Sequence, residues 1–121
     1  MGITDIDMIK WLHSVGVYDY DICDGVVHVV GDVNISGLGL TSIPVQFGYV
    51  SGYFSCGGNQ LESLKGCPSE VSGEFSCYGN ELSSLEGGPK EVGGDFDCYS
   101  NLFKDKPDTS GIKIGGKFVW E

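Results

Sequence analysis

The sequence between residues 52 and 93 consists of two consecutive copies of one 21-residue unit, GYFSCGGNQLESLKGCPSEVS (residues 52–72) and GEFSCYGNELSSLEGGPKEVG (residues 73–93). The copies are identical at 13 of these 21 positions. A weaker copy lies on each side and begins at Gly31 and at Gly94. A fixed period of roughly 20 to 30 residues indicates a solenoid, in which each unit buries its apolar edge against its neighbours.

Side chains alternate between the two faces of a strand, so Phe75 and Cys77 are expected to point inward and Ser76 outward. The same alternation in each repeat stacks the inward residues into apolar columns. The predicted columns are Val33/Phe54/Phe75/Phe96, Ile35/Cys56/Cys77/Cys98, Leu40/Leu61/Leu82/Phe103, Ile43/Leu64/Leu85 and Val50/Val71/Val92. A polar column, Asn59/Asn80/Asn101, is expected to hydrogen-bond the backbone of its own turn and of the next coil.

The chain is predicted to form one mainly β domain over residues 1–121, with an N-terminal cap (1–30), repeats (31–103) and a C-terminal cap (104–121). A short helix near residues 5–14, capped by Thr4, is expected to turn Ile6, Ile9 and Leu12 towards the core. The strand pattern on both sides of Asp24-Gly25 predicts a hairpin. Helix and hairpin together would cover the first coil.

The repeat pattern weakens after Asn101. Lys106 stands where the earlier repeats have a leucine, and residues 104–108 read as a polar turn. Two short apolar runs on either side of Gly115-Gly116 predict a second hairpin, which would cap the last coil. The Gly-x-Pro turns at residues 66–68 and 87–89 predict a returning leg that is irregular rather than helical.

The composition favours an acidic protein with basic partners. The formal net charge is −10, and no arginine is present to read phosphates or guanines. Direct nucleic-acid binding is therefore not expected, and neither is a membrane segment, since no window is long and apolar enough. Five cysteines cannot all pair, which favours reduced thiols in a cytosolic compartment.

No residue constellation of a known catalytic or metal site is found. The column Cys56/Cys77/Cys98 is the best metal candidate, but a straight inward column does not converge on one point, so core filling is the preferred interpretation. Cys23 and Cys67 lie beside turns and could be exposed. Asp95 and Asp97 could mimic an acid–base pair, yet such carboxylates are usually a solvated face. We therefore expect no cofactor, no metal and no enzymatic activity.

The outward strand positions form the best candidate site, an acidic sheet face that carries three tyrosines. Tyrosine is enriched at binding hot spots because it buries much area at low entropic cost. The simpler alternative is an ordinary solvated face on which tyrosine is favoured as a strand former. The predicted protein-binding residues are Asp32, Asn34, Tyr53, Ser55, Glu74, Ser76, Tyr78, Asp95, Asp97 and Tyr99.

The unit Phe75-x-Cys77-x-x-Asn80-x-Leu82-x-x-Leu85 resembles the leucine-rich repeat, with Phe and Cys at the first two leucine positions. Over about residues 6–101 the chain is also similar to small leucine-rich-repeat-like proteins of tailed bacteriophages. That likeness rests on Ile9-Lys10-Trp11-Leu12, Gly31–Ile35, Leu38–Pro44 and Glu62–Pro68. The resemblance implies a parallel sheet and a protein-binding role.

Three functional hypotheses of different classes follow. The leading one is a non-enzymatic binding module that acts in the host cytoplasm by binding and inhibiting a host protein with a basic surface, such as a defence protein; an acidic nucleic-acid mimic is a special case. The second is a phage structural or assembly protein that self-associates. The third, an enzyme, has no residue constellation in its favour. The oligomeric state and the identity of the partner stay open.

Overall fold

The computed structural model describes residues 5–121. They form one helix and eleven short strands, and the chain is mainly β. The elements are α1 (Asp5–Ser14), β1 (Tyr20–Cys23), β2 (Val26–Val29), β3 (Val33–Asn34), β4 (Gln46–Val50), β5 (Phe54–Ser55), β6 (Glu70–Val71), β7 (Phe75–Ser76), β8 (Glu91–Val92), β9 (Phe96–Asp97), β10 (Lys113–Ile114) and β11 (Phe118–Val119).

The strands form two sheets that run along a solenoid, with strand orders β1-β2-β4-β6-β8-β10 and β3-β5-β7-β9-β11. All pairings are parallel except that of β1 with β2. Phe54 lies beside Phe75, and Phe75 beside Phe96, which is the 21-residue register expected from the repeats. The predicted solenoid of parallel strands is confirmed, and it makes about four turns.

A glycine column marks the corner between the two sheets. The backbone N–H of Gly52, Gly73, Gly94 and Gly116 each donates to the carbonyl of the glycine one coil earlier, over 2.9 Å. A Cβ on Gly73 would come within 2.9 Å of the Gly52 carbonyl oxygen. Only glycine lets the stacked corners approach this closely, so the repeated glycine sets the spacing of the coils.

The core is built from the predicted inward columns. Phe54, Phe75 and Phe96 have no exposed surface, and the cysteine column behind them is equally buried. Ring centroids along the phenylalanine column lie 5.5 and 5.1 Å apart, and Phe118 extends the column at 5.4 Å from Phe96. The same residue type therefore stacks on itself from coil to coil.

The predicted asparagine ladder is also present. Asn80 donates from Nδ2 to the carbonyls of Cys77 and Cys56, and its Oδ1 accepts the N–H of Leu61 at 3.0 Å. Asn59 and Asn101 make corresponding bonds. The coil they reach is the preceding one, not the next one, so each asparagine ties its turn back to the coil already formed.

The returning leg contains more structure than the sequence suggested. Residues before each glycine corner form β4, β6, β8 and β10, a second parallel ladder, although Gly-x-Pro turns lie just before β6 and β8. Val50, Val71 and Val92 lie in or at the end of these strands and are at most 1% exposed. Their apolar side chains bury the returning leg against the same core as the phenylalanine column.

The predicted C-terminal hairpin is wrong. β10 pairs in parallel with β8, and β11 pairs in parallel with β9, so the two strands belong to different sheets. Gly115-Gly116 is a further solenoid corner and not a hairpin turn, because Gly116 continues the glycine column. Residues 113–119 therefore begin another coil. Its register is offset by 22 residues, from Phe96 to Phe118, instead of 21.

The N-terminal cap is confirmed in outline and differs in detail. The hairpin β1–β2 forms as expected, and β2 leads directly into the two-sheet coil by pairing with β4. Helix α1 buries Met8 and Leu12, whereas Ile6 and Ile9 are 66% and 36% exposed, so the predicted apolar stripe is rotated. Capping by Thr4 lies outside the described residues.

Candidate protein-binding face

The candidate face is the outer side of the sheet β3-β5-β7-β9. Each of these strands places a Val or Phe in the core, and the residues on either side of it turn outward. Because the strands are in register, the outward residues also stack into columns, one of which is Asn34, Ser55, Ser76 and Asp97. The repeat that builds the core therefore also aligns the side chains on the surface.

Eight of the ten predicted site residues line a single groove of about 570 Å³. They come from four successive coils, and the 21-residue register of the repeats alone brings them together. The eight are Asn34, Tyr53, Ser55, Glu74, Ser76, Tyr78, Asp97 and Tyr99. Ser36 lines the groove as well and hydrogen-bonds Asn34 Oδ1 through its backbone N–H at 3.1 Å.

Two aromatic side chains form one wall of the groove. The rings of Tyr78 and Tyr99 are stacked, with centroids 5.4 Å apart and planes inclined by 10°. Gly57, the equivalent position one coil earlier, has no side chain, and a Cβ there would lie 2.3 Å from the Tyr78 ring. The Tyr78 ring thus rests on the bare backbone of Gly57, and the stack depends on that glycine. Sequence reasoning missed this role, which the Gly57–Tyr78–Tyr99 register could have indicated.

The charge of the groove is negative. Glu74 and Asp97 are among its lining residues, and none of that lining is Lys, Arg or His. Burial raises the pKa of the Asp97 carboxyl, and the charge of Asp95 acts in the same direction; the hydrogen bond from the Tyr99 N–H partly opposes them by lowering the pKa. The Asp97 carboxylate is therefore costly to hold without a counter-charge, which makes it responsive to a bound cation.

Asp32 and Asp95 do not line the groove. Asp32 Oδ1 accepts the backbone N–H of Tyr53 at 2.9 Å, and Asp95 Oδ1 accepts that of Lys117 at 2.8 Å. Each carboxylate lies at a glycine corner and holds the first outward residue of the following coil. Both carboxylates therefore have a structural role as acceptors of a backbone hydrogen bond. The sequence pattern alone did not distinguish them from carboxylates that face the groove.

The cysteines form part of the core. Cys56, Cys77 and Cys98 have no exposed surface, and burial raises the pKa of the Cys77 thiol well above its ordinary value. Cys67, which sequence reasoning left open to solvent, is 2% exposed, and burial followed by a hydrogen bond with Cys56 raises its pKa too. Neutral buried thiols are poor nucleophiles. Cys23 is exposed.

The described residues were also compared with the requirements of a metal site and of a membrane-spanning helix. Within residues 5–121, no group of three or more His, Cys, Asp or Glu side chains is arranged to hold a metal ion. In that same part of the chain, the structure has no helix with the length and apolarity needed to cross a bilayer.

Neither the models of known protein families, nor curated proteins, nor solved structures yield a match to the chain.

Proposed function

We propose that this protein is a non-enzymatic binding module whose groove on the outer face of β3-β5-β7-β9 binds a partner protein with a basic surface. The observation that carries the proposal is the convergence of eight residues from four coils on one groove that has two carboxylates, three tyrosines and no cation in its lining. Tyrosine and acidic groups of this kind supply, respectively, contact area and charge complementarity.

The charge distribution supports a basic partner. The chain has 17 acidic and 7 basic residues, and four of the lysines lie in residues 104–121, none of them in the lining of the groove. Long-range attraction between an acidic face and a basic surface raises the association rate and is screened over about 8 Å at physiological salt. Association should therefore slow as salt is added, while the tyrosines should govern dissociation.

The resemblance to bacteriophage proteins adds a biological setting to the proposal. In that setting the partner is a bacterial host protein, such as a defence protein, and binding would inhibit it in the host cytoplasm. A host protein that itself binds nucleic acid would present the basic surface that an acidic mimic needs. Competition by duplex DNA for the partner would distinguish this mimicry from binding elsewhere on the partner.

The test is affinity capture from a bacterial lysate with three forms of the chain. Wild-type protein is compared with a triple variant, Tyr53→Ser, Tyr78→Ser and Tyr99→Ser, and with the control Tyr18→Ser. Tyr18 is 71% exposed on the N-terminal cap, so the control removes an exposed tyrosine outside the groove. We expect one discrete protein with wild type and control, and its loss with the triple variant.

The triple variant must stay folded for this result to count, so its thermal unfolding is recorded on the same preparation. Retention of the captured protein by a folded triple variant would contradict the proposed site. An association rate with the captured protein that does not fall as salt is added would contradict the charge argument.

Self-association is a second candidate, favoured by the last coil. Within the described chain, β10 and β11 are the terminal strands of their sheets, and Phe118 and Trp120 beside them are only partly buried. Unpaired strand edges are templates for pairing with another chain. Lys113 and Lys117 lie on these edges, so two such ends would repel each other. Sedimentation of the purified protein without any host component tests this candidate.

A further inference from the structure

We propose that the groove binds an arginine side chain carried by an extended segment of the partner, with Asp97 pairing the guanidinium beside the Tyr99 ring. This inference rests on the proposed function and deepens it, because it names the chemical group that the acidic, tyrosine-bearing groove recognises.

The groove has the shape to receive an extended chain. Its two walls come from outward positions four residues apart within each coil. Tyr53 lies in one wall, and Tyr78 and Tyr99 lie in the other. With a rise of about 3.3 Å per residue, such walls are separated by about 13 Å at the backbone. The floor between them is the column Asn34, Ser55, Ser76 and Asp97, so the groove runs along the solenoid axis.

The floor is polar and offers hydrogen-bonding groups to a peptide backbone. Ser76 is only 8% exposed although its side chain lies on the outer side of the sheet and lines the groove. A polar side chain on the floor of a groove is suited to contact a polar group of a ligand.

Charge complementarity selects a cation as the occupant. The only ionisable side chains of the lining apart from the tyrosines are Glu74 and Asp97. Asp97 is half-buried between the walls, and Asp95 lies close enough to raise its pKa further. The positive charge of a bound cation offsets the cost of burying this carboxylate and its repulsion by Asp95, whereas an anion would add to the repulsion.

The neighbouring aromatic rings favour arginine over lysine. Asp97 and Tyr99 are outward residues two positions apart in one coil, and Asp97 Oδ1 accepts the Tyr99 N–H at 3.2 Å. A planar guanidinium both pairs with a carboxylate in a bidentate manner and stacks on an aromatic face, which an ammonium does not. The Tyr78–Tyr99 stack fixes the Tyr99 ring in the same coil as this carboxylate.

The test uses three synthetic peptides, Ac-GSRSG-NH2 and the same sequence with lysine or with the neutral isostere citrulline in place of arginine. Each is titrated into the ¹⁵N-labelled full chain while amide shifts are followed. We expect shifts concentrated in residues 53–57, 74–78 and 95–99 for the arginine peptide. Citrulline should weaken binding by about tenfold or more, the loss expected for one charge-assisted interaction.

The matched variant is Asp97→Asn, which removes the charge and keeps the Oδ1 acceptor. Asparagine is native to this column, since Asn34 Oδ1 accepts the Ser36 N–H in the same way that Asp97 accepts that of Tyr99. We expect Asp97→Asn to weaken the arginine peptide by about tenfold. The control Glu81→Gln, which neutralises an exposed carboxylate outside the groove, should leave the affinity unchanged.

Equal affinity for the arginine and citrulline peptides, shifts outside the groove, or full affinity of Asp97→Asn would overturn the inference. So would the absence of any shift at saturating peptide. The proposed function fails separately, when the lysate partner is retained by the triple tyrosine variant. A partner lost with that variant but retained by Asp97→Asn would keep the binding face and reject the arginine pocket.

Discussion

The two sides of strands β5, β7 and β9 have opposite properties although they alternate residue by residue. On the inner side Phe75 has no exposed surface, and its ring packs between those of Phe54 and Phe96. On the outer side Tyr78 and Tyr99 are 36% and 40% exposed; their rings stack on each other, and the Tyr78 ring also rests on Gly57. One repeat thus builds a core and a surface from the same strands.

The difference separates the residues that build the fold from the residues that we propose to bind a partner. The inner columns are apolar and continuous through the coils, so each member supports both of its neighbours. The outer columns vary from coil to coil, for example from Asn34 through Ser55 and Ser76 to Asp97. Substitutions on the two sides should accordingly be separable by experiment.

The largest effect is expected from the inner column. Phe75→Ala should lower the free energy of unfolding by about 3–5 kcal/mol, because the removed ring leaves a cavity between Phe54 and Phe96. Chemical denaturation measures the loss. The control is Ser55→Ala on the outer side of β5, which should change stability by less than about 0.5 kcal/mol. Equal stability of Phe75→Ala and wild type would place Phe75 on the surface and shift the register by one residue.

The asparagine ladder should rank next. Asn80→Ala removes the acceptor of the Leu61 N–H in a region where Asn80 is 6% exposed, whereas the Cys56 carbonyl loses one of its two bonds and keeps the one from Asn59 Nδ2. Unsatisfied buried backbone groups cost about 1–3 kcal/mol. Asn101→Ala should cost less stability, because the Asn101 side chain is half-buried and not buried like that of Asn80. A larger loss for Asn101 than for Asn80, measured in the same denaturant series, would contradict this ranking.

The last coil should contribute less than the central ones. Trp120 is half-buried and packs against the core from one side only, since no later coil covers it in the described chain. We expect Trp120→Ala to lower the unfolding free energy by about 1–2 kcal/mol, below the range for a fully buried aromatic side chain. A loss as large as that of Phe75→Ala would show that residues 113–121 are as central to folding as the repeats.

A smaller, pH-dependent effect is expected on the outer side. Burial, followed by the charge of Asp95, raises the pKa of Asp97 above its ordinary value of 3.8, so the folded state takes up this proton more readily than the unfolded chain. The resulting stabilisation is complete below the ordinary pKa and is lost as pH rises through the raised one. Melting temperatures of wild type and Asp97→Asn should therefore diverge in favour of the variant as pH increases. A constant difference between them would show that Asp97 is not perturbed.

Much of the fold could be predicted because the repeat is a local signal. A glycine at Gly31, Gly52, Gly73 and Gly94 and a Phe two residues after three of them specify which positions stack, without knowledge of any distant contact. The candidate groove follows from the same register, since outward residues of adjacent coils must be neighbours. Eight of its residues could be named for this reason.

The wrong predictions have a common physical cause. The direction of a strand, and the segment with which a strand or side chain pairs, are not determined by the local sequence. Gly115-Gly116 between two apolar runs suits a hairpin turn and a solenoid corner equally, and one extra residue in the preceding loop hides the match of Phe118 to Phe96. Cys67 lies beside a turn in sequence, yet its side chain packs against Cys56 in the coil interior. Asp32 and Asp95 were indistinguishable from groove carboxylates until their backbone bonds were seen.

The central claim is that the outer tyrosines bind a partner while the inner phenylalanine column stabilises the fold. The dissociation rate of the complex with the captured protein tests this claim most directly. The rate is measured for wild type, Tyr78→Ser and the control Tyr18→Ser, at a temperature where all three are folded. We predict that dissociation is faster by about tenfold or more for Tyr78→Ser alone, the effect of truncating a buried anchor. The same dissociation rate for Tyr78→Ser and Tyr18→Ser would contradict the account.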